Sequence, residues 1–247
     1  GWPEIIIPTS KPIVITAVGS FFRRHLGPPD KDTNWARDPI EMVARHTNVR
    51  TVDTPDLNYP EFKSEWLPLP HDSRKCDNYW LKKDHTIPII GHSPSSRSRK
   101  GTDTVFLPAL EIVKDKGYKF EVDIIENVTH EECLNRKQNL SLFFGQVGIG
   151  WYANSLIEAC MYGIPSLCWL KKSVFSQIEE KDRNIPIISF DKSPELLAEA
   201  IISFLNSDMK KKSIETKNWA DNFHSYESVG ERLSDLYDRA FITEKYK

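Results

Sequence analysis

Apolar and β-branched residues fall in short runs along the chain, with helical patterns between them. The runs Glu4–Ile7, Ile13–Ala17, Arg50–Asp53, Ile87–Gly91, Lys119–Ile125, Leu140–Phe144, Ser166–Leu170 and Ile185–Phe190 predict strands. Several are apolar almost throughout, as expected of strands covered on both faces. The intervening patterns predict helices over Asp38–His46, Thr102–Lys116, Glu131–Arg136, Tyr152–Tyr162, Pro194–Asn206, Met209–Asn222 and Tyr226–Tyr246. Strand–helix alternation at a spacing of roughly 20–30 residues argues for an α/β fold, a Rossmann-like parallel sheet flanked by helices.

Helix punctuation agrees. Gly117 and Gly163 stand where a helix ends in a left-handed residue, and Pro165 follows two positions later. Ser193 before Pro194 and Glu195 is an N-cap with proline at the first helical position. Pro108 sits inside an otherwise helical pattern and predicts a kink or a late helix start. Residues 55–86 carry four prolines, scattered charges and no period. They predict a linker to a new unit beginning at Ile87.

Composition narrows the function classes. Apolar residues make up 39% and charged residues 28%, so the chain has the material for a packed core. Lys and Arg total 33 against 35 Asp and Glu, and the net charge of −2 predicts no attraction to nucleic acid. No apolar run approaches the ~20 residues that cross a bilayer. The opening Gly-Trp-Pro-Glu has neither a basic nor an apolar leader region and no initiator Met, so a processed, tagged or truncated chain is expected. Cys76, Cys133, Cys160 and Cys168 form no CxxC pair and no zinc spacing with histidine. That usage suits a reducing cytoplasm. The glycosylation sequons at Asn127 and Asn139 carry no weight there.

Three segments carry candidate chemistry. In Ile87–Gly101 a strand gives way to a loop with Ser93, Ser95 and Ser96 and the cations Arg97, Arg99 and Lys100. Ligands bind at the carboxyl ends of such strands, so this loop suits a phosphate or diphosphate, or else is a solvated basic loop. In Phe144–Gly163 a strand leads through Gly145, Gly148 and Gly150 into a helix opening near Trp151–Ser155. Its free N–H groups and positive dipole end suit an anion. The glycine order is not that of a dinucleotide site, and no Walker lysine follows. Glu158 lies in an apolar run of that helix, where a carboxylate needs partners. Ligand hydroxyls are favoured over the alternative, an Arg or Lys salt bridge. In Pro12–His25 a strand ends at Gly19-Ser20, followed by Arg23, Arg24 and His25, and the arginines could meet an anion across a cleft.

Together these segments resemble glycosyltransferases of the GT-B fold, particularly glycosyltransferase family 4, the "glycosyl transferases group 1" type. The matching features are the basic loop ending in Lys100-Gly101 and the E-A-x-x-x-G-x-P helix Glu158–Pro165. The stretch Asp53–Leu57 with Glu65–Pro68 resembles the family's domain join, and Trp219–Tyr237 its C-terminal helix. The resemblance implies a partial N-terminal Rossmann-like unit on the acceptor side at 1–70. It further implies a nucleotide-sugar-binding domain at 71–222 and a returning helix at 223–247.

The resemblance also implies roles. Arg97, Lys100 and the N–H groups of Ala153, Asn154 and Ser155 would hold the donor diphosphate. Glu158 would bond the donor ribose, and Asn127 and Val128 would lie beside the nucleobase. Gly19, with Ser20 and Arg23, would lie in the N-domain cleft. No metal or cofactor is implied beyond a UDP-, GDP- or ADP-sugar as substrate. The acceptor would be a glycan, a lipid or a small molecule. The expected setting is cytoplasmic, with room for peripheral contact at the inner membrane face and for self-association through the incomplete N-terminal unit.

The sequence departs from the family at two places. Gly150 stands where a first glutamate belongs, and Val18 where a histidine belongs. Both losses fall on the sugar side. They keep open a non-catalytic nucleotide-sugar-binding module, alongside a GT-B epimerase, as alternatives to a transferase.

Overall fold

The computed structural model describes residues 14–17, 49–58 and 63–245. The expected strand Glu4–Ile7 and helix Asp38–His46 lie outside the described residues, as do Val18, Gly19, Ser20, Arg23, Arg24 and His25. Contacts divide the chain into two units, one of residues 1–68 with 229–247 and one of 69–228. The new unit therefore starts at Leu69, not Ile87. The proline-rich stretch misleads because prolines suppress periodic patterning while short turns still form. Pro55–Leu57, Ser73–Lys75 and Trp80–Lys82 are single 3-10 turns.

In the first unit β1 (Val14–Ala17), β2 (Val49–Val52) and β3 (Glu65–Trp66) form a parallel sheet in that order. Thr51 donates its hydroxyl to that of Thr16 at 2.7 Å. The Trp66 indole N–H bonds the Asp53 carbonyl at 3.2 Å.

The second unit holds a five-stranded sheet. The chain runs through β4 (Ile89–His92), the short helix α1 (Arg97–Lys100), α2 (Leu107–Asp115), β5 (Glu121–Ile124) and α3 (His130–Lys137). It continues through β6 (Leu142–Phe144), α4 (Asn154–Met161), β7 (Ser166–Cys168), α5 (Lys172–Phe175), β8 (Ile188–Ser189), α6 (Pro194–Leu205) and α7 (Met209–His224). The strand order is β5-β4-β6-β7-β8, every pair parallel. The strands are shorter than their apolar runs, whose flanking residues range from buried, as Leu140 and Ile125, to exposed, as Ile87. The four-residue α5 is too short to leave a period.

One face of this sheet packs Ile90, Leu142, Phe144 and Leu167 against Phe106, Ala109, Leu110 and Val113, and against Leu197, Ala198, Ile201 and Phe204 of α6. Phe144 and Phe106 stack with centroids 4.8 Å apart. Phe143 alternates to the opposite face, as the pleat requires. There the Lys137 ammonium of α3 lies 5.4 Å from its ring centroid.

Pro108 has the effect its position predicts. It cannot donate to the preceding turn, so Thr102–Phe106 closes as a wider π-type turn, with Phe106 N–H on the Gly101 carbonyl. Regular helix begins only at Leu107. The other caps are equally local. Thr129 accepts from Glu132 N–H at the start of α3, and Ser193 from Leu196 N–H at the start of α6.

Helix α8 (Tyr226–Lys245) follows α7 after a break at Ser225, whose hydroxyl accepts from Ser228 N–H at 3.1 Å. In the first unit its Leu236 and Ala240, one turn apart, pack with Val49, Val14, Leu67 and Leu233. Arg239 meets Glu65 through two bonds of 2.6 and 2.8 Å. Among the described residues no helix is long and apolar enough to cross a membrane.

Candidate functional site

The strand order creates the site. From β4 the chain steps to β5 on one side, then returns past β4 to β6 on the other. The carboxyl ends of β4 and β6 therefore flank a topological switch point, the crevice where ligands bind in open α/β sheets. Ser93 follows β4, and Ser155 lies in the first turn of α4, which follows β6. Their hydroxyl oxygens are 3.0 Å apart. No side chain caps α4, where Ala153 is the N-cap residue. Its first turn presents N–H groups and a positive dipole end to this crevice.

Behind the serine pair is a buried charge. Lys137 Nζ donates to Ser155 Oγ at 2.8 Å and to Glu158 Oε2 at 2.5 Å. The Lys137 side chain is 1% exposed and that of Glu158 11%. The other carboxylate oxygen, Oε1, accepts from His130 Nε2 at 3.1 Å and from Asn154 Nδ2 at 3.4 Å. Burial by itself would raise the Glu158 carboxyl, but the Lys137 charge and hydrogen bond outweigh it and hold the carboxyl below its ordinary value. His71 reaches the same place, its Nε2 donating to Asn154 Oδ1 at 2.7 Å. Burial holds the His71 imidazole below its ordinary value, against the upward pull of that bond.

His92, fully buried at the end of β4, ties the crevice walls together. Its Nδ1 meets the Phe144 carbonyl at 2.9 Å and its Nε2 the Thr102 hydroxyl at 2.9 Å. The carbonyl can only accept, so Nδ1 carries the proton and Nε2 accepts from Thr102. Burial pushes this imidazole down to about 4, so it is neutral at neutral pH.

The glycine-rich loop after β6 lies tight against the basic loop. Val147 N–H bonds the Lys100 carbonyl at 3.3 Å, and a Cβ on Gly148 would fall 2.3 Å from the Arg99 carbonyl oxygen. At Gly150 the backbone φ is +77°, and a Cβ would lie 2.6 Å from Lys171 Cβ and 3.2 Å from the Trp169 ring.

The predicted residues thus fall in two groups. Asn154, Ser155 and Glu158 share one network with Ser93, Lys137, His130 and His71. Arg97 shares no hydrogen bond with that network among the described residues. Its guanidinium donates to Asp103 at 2.5 Å and to Glu126 at 2.8 Å, and these two carboxylates raise it above the ordinary arginine range. Through these bonds Arg97 ties the basic loop to the loop after β5. Lys100 is half-buried on α1. On the loop after β5, Asn127 is exposed with φ of +55°, and Val128 is half-buried.

Glu158 has the lysine partner that the sequence left open as the alternative to ligand hydroxyls, and that bond engages only its Oε2. Lys137, His71 and His92 were not singled out from sequence. Lys137 does leave a trace, since it follows Cys133 by four positions on the inner stripe of α3, where a charge demands a partner.

No protein-family model matches the chain, and no curated protein does. Solved structures do. Sucrose-phosphate synthase from Thermosynechococcus elongatus superposes with a TM-score of 0.61 over 93% of this chain and 68% of that one, at 12% identity. Anabaena HepE, solved with UDP and glucose, superposes at 0.60 over 92% of this chain and 71% of that one, at 9% identity. An alpha-glucosyltransferase, solved with UDP and a 13-mer DNA, superposes at 0.56 over 94% and 73%, at 16% identity. At these identities the likeness shows the fold, a GT-B architecture with a parallel sheet flanked by helices.

Proposed function

We propose that the chain is a glycosyltransferase that takes a sugar from a nucleotide donor, and that the crevice between β4 and β6 binds the donor. The observation that carries this reading is the network at the start of α4. Hydroxyl donors and an uncapped helix end suit a diphosphate, and an ionised carboxylate one turn further suits ribose hydroxyls. Two of the fold neighbours were solved with UDP, which makes a uridine diphosphate sugar the first donor to test.

On this reading the donor residues are Lys100, the first-turn N–H groups through Ser155, and Glu158, with Asn127 and Val128 beside the base. The unit of residues 69–228 would carry the donor, and acceptor choice would rest with the unit containing β1–β3. Transfer would be retaining and independent of metal, with positive charge and the helix dipole stabilising the departing nucleoside diphosphate. The DNA seen with one neighbour is not carried over, since a net charge of −2 favours no polyanion.

A thermal-shift panel of UDP-, GDP- and ADP-sugars tests the donor, because a ligand of the folded state raises the midpoint. A raised midpoint with UDP-glucose, lost in Glu158→Ala, supports the reading, and no shift with any nucleotide sugar overturns it. A binding module without turnover is the second reading. It is favoured by Gly150, where neither φ nor the surrounding space admits the family's glutamate. Donor binding without hydrolysis or transfer would select it.

A further inference from the structure

One buried charge at the crevice has no part in holding the donor directly. Lys137 is on α3, outside every segment that the reading uses, yet its ammonium is the most buried charge at the crevice. An ammonium has three protons and no acceptor. Two protons are committed to Ser155 Oγ and Glu158 Oε2. The ammonium also lies over the Phe143 ring, whose face attracts a cation. Lys137 is thus fully engaged within the protein and acts through its neighbours.

Two consequences follow for those neighbours. First, Lys137 occupies Oε2 of Glu158 and leaves Oε1 on the solvent side. The protein partners of Oε1 are exposed, His130 at 72% and Asn154 at the mouth of the helix, so ligand hydroxyls can displace them. Second, Ser155 must accept from Lys137. The two serine hydroxyls hold two protons and spend one on their mutual bond, so one is left to donate. Its protein alternative is Cys133 Sγ, 3.5 Å from Ser93 Oγ, a weak acceptor. An anion at the crevice takes that proton in preference.

We propose that Lys137 is the positioning residue of the donor site, holding Glu158 as an ionised acceptor for ribose hydroxyls and turning the Ser93–Ser155 pair into a donor for a phosphate oxygen. This rests on the donor-site reading above. The titratable groups facing Glu158 are Lys137 and His130 from α3, His71 from the segment before the sheet, and Tyr162 at the end of α4. Of these, Lys137 alone sets a buried ammonium directly against the carboxylate. Removing it returns Glu158 to the upward push of burial, so the carboxylate becomes protonated at higher pH.

The test is calorimetric binding of UDP-glucose, whose diphosphate keeps its charge from about pH 8 to about pH 5, by wild type, Lys137→Met and Lys137→Arg. Lys137→Met should bind about tenfold more weakly at neutral pH, the loss of roughly one charged hydrogen bond. It should lose further affinity as the pH falls through this range, where wild type does not. Lys137→Arg should restore the flat profile. The carbon-13 titration of the Glu158 carboxyl should move upward in Lys137→Met, and this needs no ligand.

Should Lys137→Met not fold, Lys137→Met with Glu158→Gln removes both charges and leaves no lone buried ion. That variant should fold and bind weakly at every pH. Wild type that binds no UDP-glucose overturns the donor-site reading. Wild-type binding, with unchanged affinity and profile in Lys137→Met and wild-type affinity in the double variant, overturns the role of Lys137 alone.

Discussion

Arg97 donates to Glu126 across 2.8 Å and so ties the helix after β4 to the loop after β5. With Asp103 as its second partner, the guanidinium serves two carboxylates before any ligand arrives. Lys100, three residues on, is the cation that the donor-site reading assigns to the diphosphate, and on that reading the two cations should behave differently. Lys100→Ala is expected to weaken UDP binding by about tenfold or more, the worth of a charge-assisted hydrogen bond. Arg97→Ala is expected to change it much less. Calorimetry on both variants decides, and an equal loss in Arg97→Ala would mean that the guanidinium leaves its carboxylates on binding.

His92 makes stability depend on acid. Its folded value of about 4 lies below the ordinary 6.5, because burial disfavours the cation. The unfolded chain therefore binds the proton more readily through that window. Stability is fully present above about 6.5 and falls as the pH drops toward 4, by at most about 3 kcal/mol. Urea unfolding at several pH values should show this slope. His92→Asn, which can still donate to the Phe144 carbonyl but cannot titrate, should flatten it. A slope unchanged in the variant would assign the effect to other groups.

Introducing a glutamate at position 150 should fail. Gly150 has φ of +77°, and Lys171 Cβ fills the place of its side chain. Gly150→Glu is expected to cost at least about 1–2 kcal/mol from the left-handed backbone alone, before any rearrangement of Lys171. The expected outcome is a lower unfolding midpoint and no gain in sugar transfer. A variant as stable as wild type with faster transfer would show that this loop can rearrange.

What the sequence determined by itself is what short-range chemistry controls. Thr129 and Ser193 cap their helices because their hydroxyls reach N–H groups three residues on. Pro108 displaces the helix start because it lacks an N–H. The apolar runs at Ile87–Gly91, Leu140–Phe144 and Ser166–Leu170 each hold a strand covered on both faces, though with shorter ladders. The helix of Glu158 was legible for the same reason.

Which residues meet was decided only by the tertiary structure. The order β5-β4-β6 places Ser93 opposite Ser155, 62 positions away, and brings Lys137 under Glu158, 21 positions away. Each charge of that pair looked like an isolated polar residue in an apolar stretch, and its cost is offset only by the other. Arg97 shows the converse, since a cation in a serine loop reads as a ligand site until the fold brings Glu126 to it. Local hydrogen bonding is written in neighbouring residues, whereas the partner of a buried charge depends on strand order, which no stretch of the chain records.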